Sequence, residues 1–301
     1  TMFPQLISGP ITNYADVRVA LGRERTIKAR QLEEGMKLLI IGLAAKVVIA
    51  DRIGTLWNSI RMIGFDSIST KLAWMGAFAY SLQLYFDFAG YSMMARGIGK
   101  MLGFELPVNF RYPYISKSVT EFWRRWHMTL GTWFREYVYI PLGGNRVTTA
   151  KHIRNLLIVW GLTGVWHGAG INFLLWGLYY GVLLIIEKYL IGGFLKKHKV
   201  IGHTFTLIAV VIGWMLFANT SFASLGQYFC MMFGIGKVSF FNATAGYFLR
   251  TSIVLLVLGV LFSTPIMHQL GEQIFVRYPK VSAAVRVFLF LLCIAALVYQ
   301  T

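Results

Sequence analysis

Charge is scarce in this chain. Only 14% of its 301 residues are charged and 56% are hydrophobic, where a soluble domain carries about a quarter charged residues. With a mean hydropathy of +0.60, one soluble core could not bury so much apolar surface, and a polytopic membrane protein is predicted. Acidic groups are scarcer still: twelve Asp and Glu against twenty-nine Lys and Arg give a formal charge of +17. Such an excess can signal nucleic acid. Here the basic residues fall in short clusters between long uncharged stretches, the pattern of loops held at a cytoplasmic membrane face, and nucleic acid is not expected as a partner. The two cysteines, Cys230 and Cys293, both lie in apolar stretches. They exclude a disulfide framework and a cysteine zinc site, and read as small buried hydrophobes. No His-x-x-x-His or Glu-x-x-His spacing points to a metal. His152, His198 and His203 sit in or beside basic loops, and His268 follows Pro265 near a span end.

Repeats and low-complexity linkers are also lacking, so residues 1–301 are read as one membrane-embedded domain. The start, Thr1-Met2-Phe3-Pro4, has no basic segment followed by an apolar one and is not expected to be a signal peptide. The chain is expected to be an internal piece of a longer protein, without its first helices and its extreme C-terminus.

What is present is a series of apolar stretches with few interruptions. Residues 11–37 are polar and basic and suit an interfacial helix leading into an apolar segment at 38–50, which holds a lone Lys46. A span is predicted over about 72–95, containing Asp87. Residues 105–154 are too charged to span and too aromatic for a solvated loop, which predicts interfacial or re-entrant structure. No formal charge occurs from Asn155 to Ile186. A single helix of that length would reach roughly 48 Å, beyond a hydrocarbon core of about 30 Å. The stretch must break, and the glycines of Gly161–Gly170 mark the place. The uncharged stretch at 200–236 must break as well, and further spans are expected at about 251–268 and 285–301.

His167 is the most informative residue, an imidazole at a glycine-rich break inside an uncharged stretch. An ionisable group at that depth is a functional candidate, although a neutral histidine bridging two helices would look the same. His127 follows Glu121-Phe122-Trp123-Arg124-Arg125-Trp126. On a continuous helix it would share a face with Trp123, as Glu121 would with Arg125; a membrane-interface helix with snorkelling arginines is the competing reading. Asp87 is an acid in an aromatic span. A partner such as Arg125 would make it structural, and a histidine partner would make it an orienting group. Gly143-Gly144-Asn145-Arg146 lacks the Lys-Ser/Thr of a phosphate-cradling loop and reads as a turn, from which Arg146 could meet an anionic headgroup or a cofactor phosphate.

Several segments together resemble the membrane-bound O-acyltransferases. They are Phe3-Pro4-Gln5-Leu6-Ile7-Ser8-Gly9-Pro10-Ile11, Tyr85-Phe86-Asp87-Phe88-Ala89-Gly90-Tyr91-Ser92 and Asn109-Phe110-Arg111-Tyr112-Pro113-Tyr114. Phe122-Trp123-Arg124-Arg125-Trp126-His127, Tyr139-Ile140-Pro141-Leu142-Gly143-Gly144-Asn145-Arg146, Gly164-Val165-Trp166-His167-Gly168-Ala169 and Trp176-Gly177-Leu178-Tyr179-Tyr180-Gly181 follow in the family's order. The match is nearest to the branch with the alginate O-acetylation membrane subunit, and more distant from the teichoic-acid D-alanylation protein. It covers about residues 3–181; residues 182–301 match only in hydrophobic character. Met93 stands where the alginate-type pattern usually has Asp, which weakens an inference to one particular polysaccharide.

The resemblance implies an all-α bundle of tilted and re-entrant helices around a funnel or tunnel, in a bacterial cell membrane. It implies His167 as the catalytic histidine and His127 as a second important one. It further implies transfer of an acyl group, acetyl first among the choices, to hydroxyls of an exported polysaccharide or cell-envelope polymer, or to a periplasmic or extracellular acyl-accepting protein. Acetyl-CoA or a protein-bound acyl thioester would be the donor, with no metal. Acyl transfer to a hydroxyl needs a base and donors for a tetrahedral oxyanion. His167 is the expected base or acyl relay. His127, or the indoles of Trp126 and Trp166, would orient the acyl group; Asn145, Arg124, Arg125 and Arg146 would contribute to donor binding, and Asp87 to orientation. A transporter would also have broken helices with intramembrane His and Asp, but it predicts inverted repeats, and none is seen. A non-catalytic scaffold for a periplasmic modifying partner would tolerate loss of His167.

Overall fold

A computed structural model of the chain describes residue 5, residues 9–22 and residues 27–300. Most of the Phe3–Ile11 motif, together with Arg23 and Arg25, lies outside the described residues. Among those described there are helices and no strands.

A short helix, α1 (Tyr14–Leu21), is followed by α2 (Ala29–Ala44), which runs without interruption through a π-helical turn, Ala45–Ala50, into α3 (Asp51–Ile63). This rod lies along α4 (Thr70–Met101). Glycines allow the close approach: a Cβ on Gly42 would come within 2.6 Å of the Gly90 carbonyl oxygen, the small-residue contact by which helices associate where water is absent. At 32 residues, α4 is about 48 Å long. The predicted span at 72–95 is its central part. Ser69 caps it by accepting the Leu72 amide, and Glu34 and Lys100 pair across the two helices at the opposite end, at 2.6 Å.

Residues 105–154 are neither span nor solvated loop. A 3-10 turn at Pro113–Ile115 precedes two short helices, α5 (Val119–Trp123) and α6 (Met128–Phe134), and α6 continues as a π turn, Arg135–Tyr139. A tight turn follows, in which Gly143 (φ 97°) and Gly144 (φ 55°) occupy the left-handed region open to glycine.

Two antiparallel helices, α7 (Thr149–His167) and α8 (Ile171–Ile186), form a hairpin from the uncharged stretch. The expected break is confirmed but narrower than predicted. The helix runs through Gly161 and Gly164 and stops only at Gly168. Gly164 serves packing instead: a Cβ on Gly177 would lie 3.0 Å from its amide nitrogen. α8 extends through a π turn, Glu187–Ile191, into α9 (Gly192–Lys197). The remainder comprises α10 (Lys199–Ala218), α11 (Phe222–Phe233), α12 (Ala243–Phe262), α13 (Pro265–Arg277) and α14 (Pro279–Gln300). The stretch at 200–236 breaks at Asn219–Ser221. The span expected at 251–268 is corrected. α12 ends at Phe262, and Pro265, which cannot continue a helix, begins α13.

Among the described residues, four helical stretches, Ile171–Lys197, Lys199–Ala218, Ala243–Phe262 and Pro279–Tyr299, are long and apolar enough to cross a membrane. The protein is an all-α polytopic membrane protein. Its centre is aromatic: Trp123 contacts Trp160 and Tyr180 at centroid distances of 4.7 Å, and Trp126 meets Trp214 at 4.7 Å. α5, α7, α8 and α10 converge on this cluster, and the histidines lie beside it.

Candidate active site

His167 is the last residue of α7, placed where Gly168 takes φ 157° and turns the chain into α8. Its imidazole is boxed by aromatic rings: Trp166 at 4.9 Å, Trp176 at 4.8 Å and Phe217 at 5.3 Å. Among the described residues neither ring nitrogen has a hydrogen-bond partner.

His127 is not on the helix predicted for it. α5 ends at Trp123, so Trp123 and His127 share no helical face, and His127 opens α6 with φ 43° and ψ 52°. That is the left-handed region, uncommon for a residue with a Cβ, and the surrounding hydrogen bonds hold it there. The Met128 amide donates to the Asn109 carbonyl and the Arg111 amide to the Arg125 carbonyl, both at 2.9 Å. These bonds tie the non-helical segment 124–128 to 109–111 and satisfy backbone that lipid could not. The Glu121–Arg125 pairing at i,i+4 is present, at 2.9 Å.

The Asn109 side chain completes the arrangement. Its Oδ1 accepts from the Thr129 amide at 3.1 Å and the Thr129 hydroxyl at 2.9 Å, and it lies 3.1 Å from His127 Nδ1. Asn109 and His127 are 1% and 5% exposed. Phe88 meets the imidazole edge to face at 4.8 Å.

Forty residues apart in sequence, His127 and His167 line one cavity of about 390 Å³, together with Trp126, Trp160 and Thr163. The Trp166 ring lies near both imidazoles, with centroids 6.0 Å from His127 and 4.9 Å from His167. A second cavity of about 830 Å³ adjoins the first, sharing Thr120, Arg124, Arg135 and Tyr139 in its wall. Arg124, Arg135, Arg146 and Lys188 line it with Asn145, and among the described residues no carboxylate does. Its floor is organised by His152, held between the Tyr139 hydroxyl (2.8 Å) and the Tyr189 hydroxyl (2.7 Å). Burial pushes the Tyr139 phenol above its ordinary value, so it stays a neutral donor and acceptor. The Gly143–Arg146 turn thus presents Asn145 and Arg146 to a basic hollow.

Three residues stand elsewhere. Trp166 is exposed and lines neither cavity. Arg125 lines neither cavity; its guanidinium is held by Glu121 and the Arg111 carbonyl. Asp87 pairs with neither Arg125 nor a histidine, the partners considered from sequence. Its partner is Lys46, 2.7 Å away and itself 2.9 Å from Asp51. Arg135 and Lys188, which ordinary helical patterning hides, join the wall without a sequence signal, and Tyr139, though it opens a quoted motif, had no role assigned from sequence. Nor had Asn109, although that residue opens one of the motifs quoted.

Residues 1–233 match the model of the membrane-bound O-acyltransferase family. A probable alginate O-acetylase of Pseudomonas fluorescens is 41% identical over 239 residues, 79% of this chain and 48% of that protein. The peptidoglycan O-acetyltransferase of Helicobacter pylori is 38% identical, over 79% of this chain and 46% of its own length. The teichoic acid D-alanyltransferase of Bacillus subtilis is 35% identical, over 70% and 55%. The chain thus spans about half the length of the curated relatives it matches.

Proposed function

Because the chain belongs to the membrane-bound O-acyltransferase family, we propose that it transfers an acyl group, acetyl in the first instance, to hydroxyls of an exported polysaccharide or other cell-envelope polymer. The observation that carries this reading is the pair of histidines on one cavity that adjoins a basic, acid-free hollow. The acceptor of the alginate- and peptidoglycan-modifying relatives is a polymer outside the cytoplasm, which supports a bacterial cell membrane as the location. A periplasmic or extracellular protein that carries the acyl group onward would serve as acceptor equally well.

The hollow suits a donor with phosphates. Arg124, Arg135 and Arg146 offer planar guanidinium forks and Lys188 a compact charge, the groups that bind phosphate best. Acetyl-CoA and a protein-bound phosphopantetheine thioester share that chemistry, and either, when bound, would supply the acyl group and a thiol leaving group. The narrower cavity is apolar and aromatic around the two imidazoles, which keeps water from competing with the acceptor hydroxyl.

His167 is assigned as the general base or acyl relay. As base, its imidazole takes the hydroxyl proton while the hydroxyl oxygen bonds to the acyl carbon. As the carbon–sulfur bond breaks, the proton passes to the departing thiolate. As relay, an imidazole nitrogen would carry the acyl group between donor and acceptor. Trp126 lines the cavity that holds the two imidazoles and would orient the acyl group; Trp166, beside His167 but outside the cavity lining, would act only at its edge.

His167→Ala tests the reading, in cells lacking the native copy and expressing the full-length protein. Acetylation of the exported polymer is expected to disappear while the protein inserts and accumulates normally. Wild-type acetyl content from a well-expressed variant would remove His167 from the mechanism and favour a scaffold.

A further inference from the structure

His127 and His167 face one cavity but are held differently, and the difference assigns them different jobs. The deciding atom is Asn109 Oδ1. The Thr129 backbone amide, which can only donate, points at it from 3.1 Å. The atom is therefore the carbonyl oxygen, since the amide nitrogen there would set donor against donor. A carbonyl oxygen can only accept, so the contact with His127 Nδ1 at 3.1 Å requires the proton on Nδ1. In a neutral imidazole that leaves Nε2 with a bare lone pair.

We propose that Asn109 is a positioning residue that fixes His127 as its Nδ1–H tautomer, so that Nε2 receives the hydrogen bond of the acceptor hydroxyl in the cavity shared with His167. The proposal rests on the acyl-transfer reading given above. Nε2 has no partner among the described residues, while the ring lines the cavity and is clamped by Phe88 and Phe110. The backbone restricts it too: the left-handed conformation and the paired segments 109–111 and 124–128 fix where the ring can point. The Asn109 Nδ2 is buried without a partner, which is unfavourable. That cost is tolerated for a side chain whose three accepted hydrogen bonds all converge on its oxygen.

A chemical consequence follows. Neutral His127 has no N–H left to give, so it cannot polarise the acyl carbonyl, and that task falls to another donor, such as the indole of Trp126 in the same cavity. It can hold a hydroxyl by accepting from it. His167 has no such pin, and its ring is free to exchange tautomers, as a base or relay that takes up and releases a proton must.

The test has an arm that does not depend on activity. Nitrogen-15 NMR of the histidine-labelled full-length protein in lipid nanodiscs, with the His127 signals assigned by their loss in His127→Gln, reads the tautomer directly. A protonated Nδ1 with a pyridine-type Nε2 is expected, and the opposite tautomer overturns the proposal. Asn109→Ala should turn the fixed form into a mixture and lower polymer acetylation about 100-fold, the scale of a misplacement near 1 Å. Asn109→Asp keeps the acceptor oxygen and should restore both the Nδ1–H tautomer and most of the activity. Wild-type acetylation by Asn109→Ala would overturn the role given to the pin. Should that variant fail to accumulate, the wild-type spectrum and the Asp variant still decide. Wild-type polymer acetylation in cells expressing His167→Ala, by contrast, would remove His167 from the mechanism and favour a scaffold, and would leave the tautomer result standing.

Discussion

Glu187 is the buried carboxylate on which the position of the basic wall depends. It is 7% exposed, in the π turn that follows α8, and it makes its contacts 67 and 68 residues away along the chain. One oxygen accepts the Val119 amide at 2.6 Å and the other the Thr120 amide at 3.2 Å. These are the first amides of α5, which no intrahelical bond satisfies, and a negative charge there is also favoured by the helix dipole. α5 then leads into Arg124 of the basic hollow, Trp126, and His127 of the narrower cavity. Replacing Glu187 with Leu removes two charge-assisted hydrogen bonds and leaves two buried donors unpaired. At about 1.5–3 kcal/mol for each hydrogen bond to a charged group, the expected loss of stability is about 3 kcal/mol or more. Glu187→Gln keeps one acceptor oxygen and should lose about half as much.

The assay is thermal unfolding of the full-length protein in nanodiscs, followed by tryptophan emission, because five tryptophans (Trp123, Trp126, Trp160, Trp176 and Trp214) surround the segment that α5 anchors. The order wild type, Gln, Leu is expected for midpoint temperature. Polymer acetylation should fall in the same order even at temperatures where every variant remains folded, because the α5–α6 junction carries His127. If Glu187→Leu unfolds at the wild-type midpoint, the carboxylate is not the anchor of α5 and the account of the wall is wrong.

Three further expectations follow. The Lys196–Lys199 segment should be cytoplasmic, since short basic loops are retained on that side; strong labelling of Lys197→Cys in intact cells by an impermeant thiol reagent would invert the topology. Asp87→Asn should destabilise the α2–α4 pair, because Lys46 loses a partner at 2.7 Å; in a double-mutant cycle with Lys46→Met the two losses should not add, and strict additivity would show the pair to be uncoupled. Hydrogen bonds from Lys100 and then Arg30 hold the Glu34 carboxyl well down, at about 2, at the polar end of α2. A depressed carboxylate contributes above its unfolded value and loses that contribution as pH falls through the folded one. The α2–α4 contact should thus loosen between about pH 4.5 and pH 2, read as faster amide exchange at residues 32–37. Glu34→Gln should abolish the pH dependence, and an unchanged profile in that variant would refute the assignment.

What could be read from the sequence followed from the physics of single elements. An uncharged stretch longer than a membrane is thick must break, and it breaks beside His167, because Gly168 supplies a backbone that other residues rarely adopt. Interfacial character at 105–154 was legible from arginines, prolines and tryptophans that suit neither lipid nor water. The pairings were less legible. Trp123 and His127 were placed on one face by assuming a continuous helix, but the pairing of 109–111 with 124–128 interrupts it, and nothing local in Arg124-Arg125-Trp126 announces a left-handed residue at 127. Asp87 lies thirty-eight residues before Arg125 and forty-one after Lys46, and residue type alone does not say which way a carboxylate turns. Lys46 is a lone charge in an apolar segment, and the π turn that aims it at α4 carries no signature in composition. Asn109 was hidden for a related reason: an asparagine earns a role only through the donors that converge on its oxygen, and two of them, the Thr129 amide and hydroxyl, come from across a fold boundary. The parts of the site that sequence exposed are those defined by one residue's own cost of burial, and the parts it concealed are those defined by a partner.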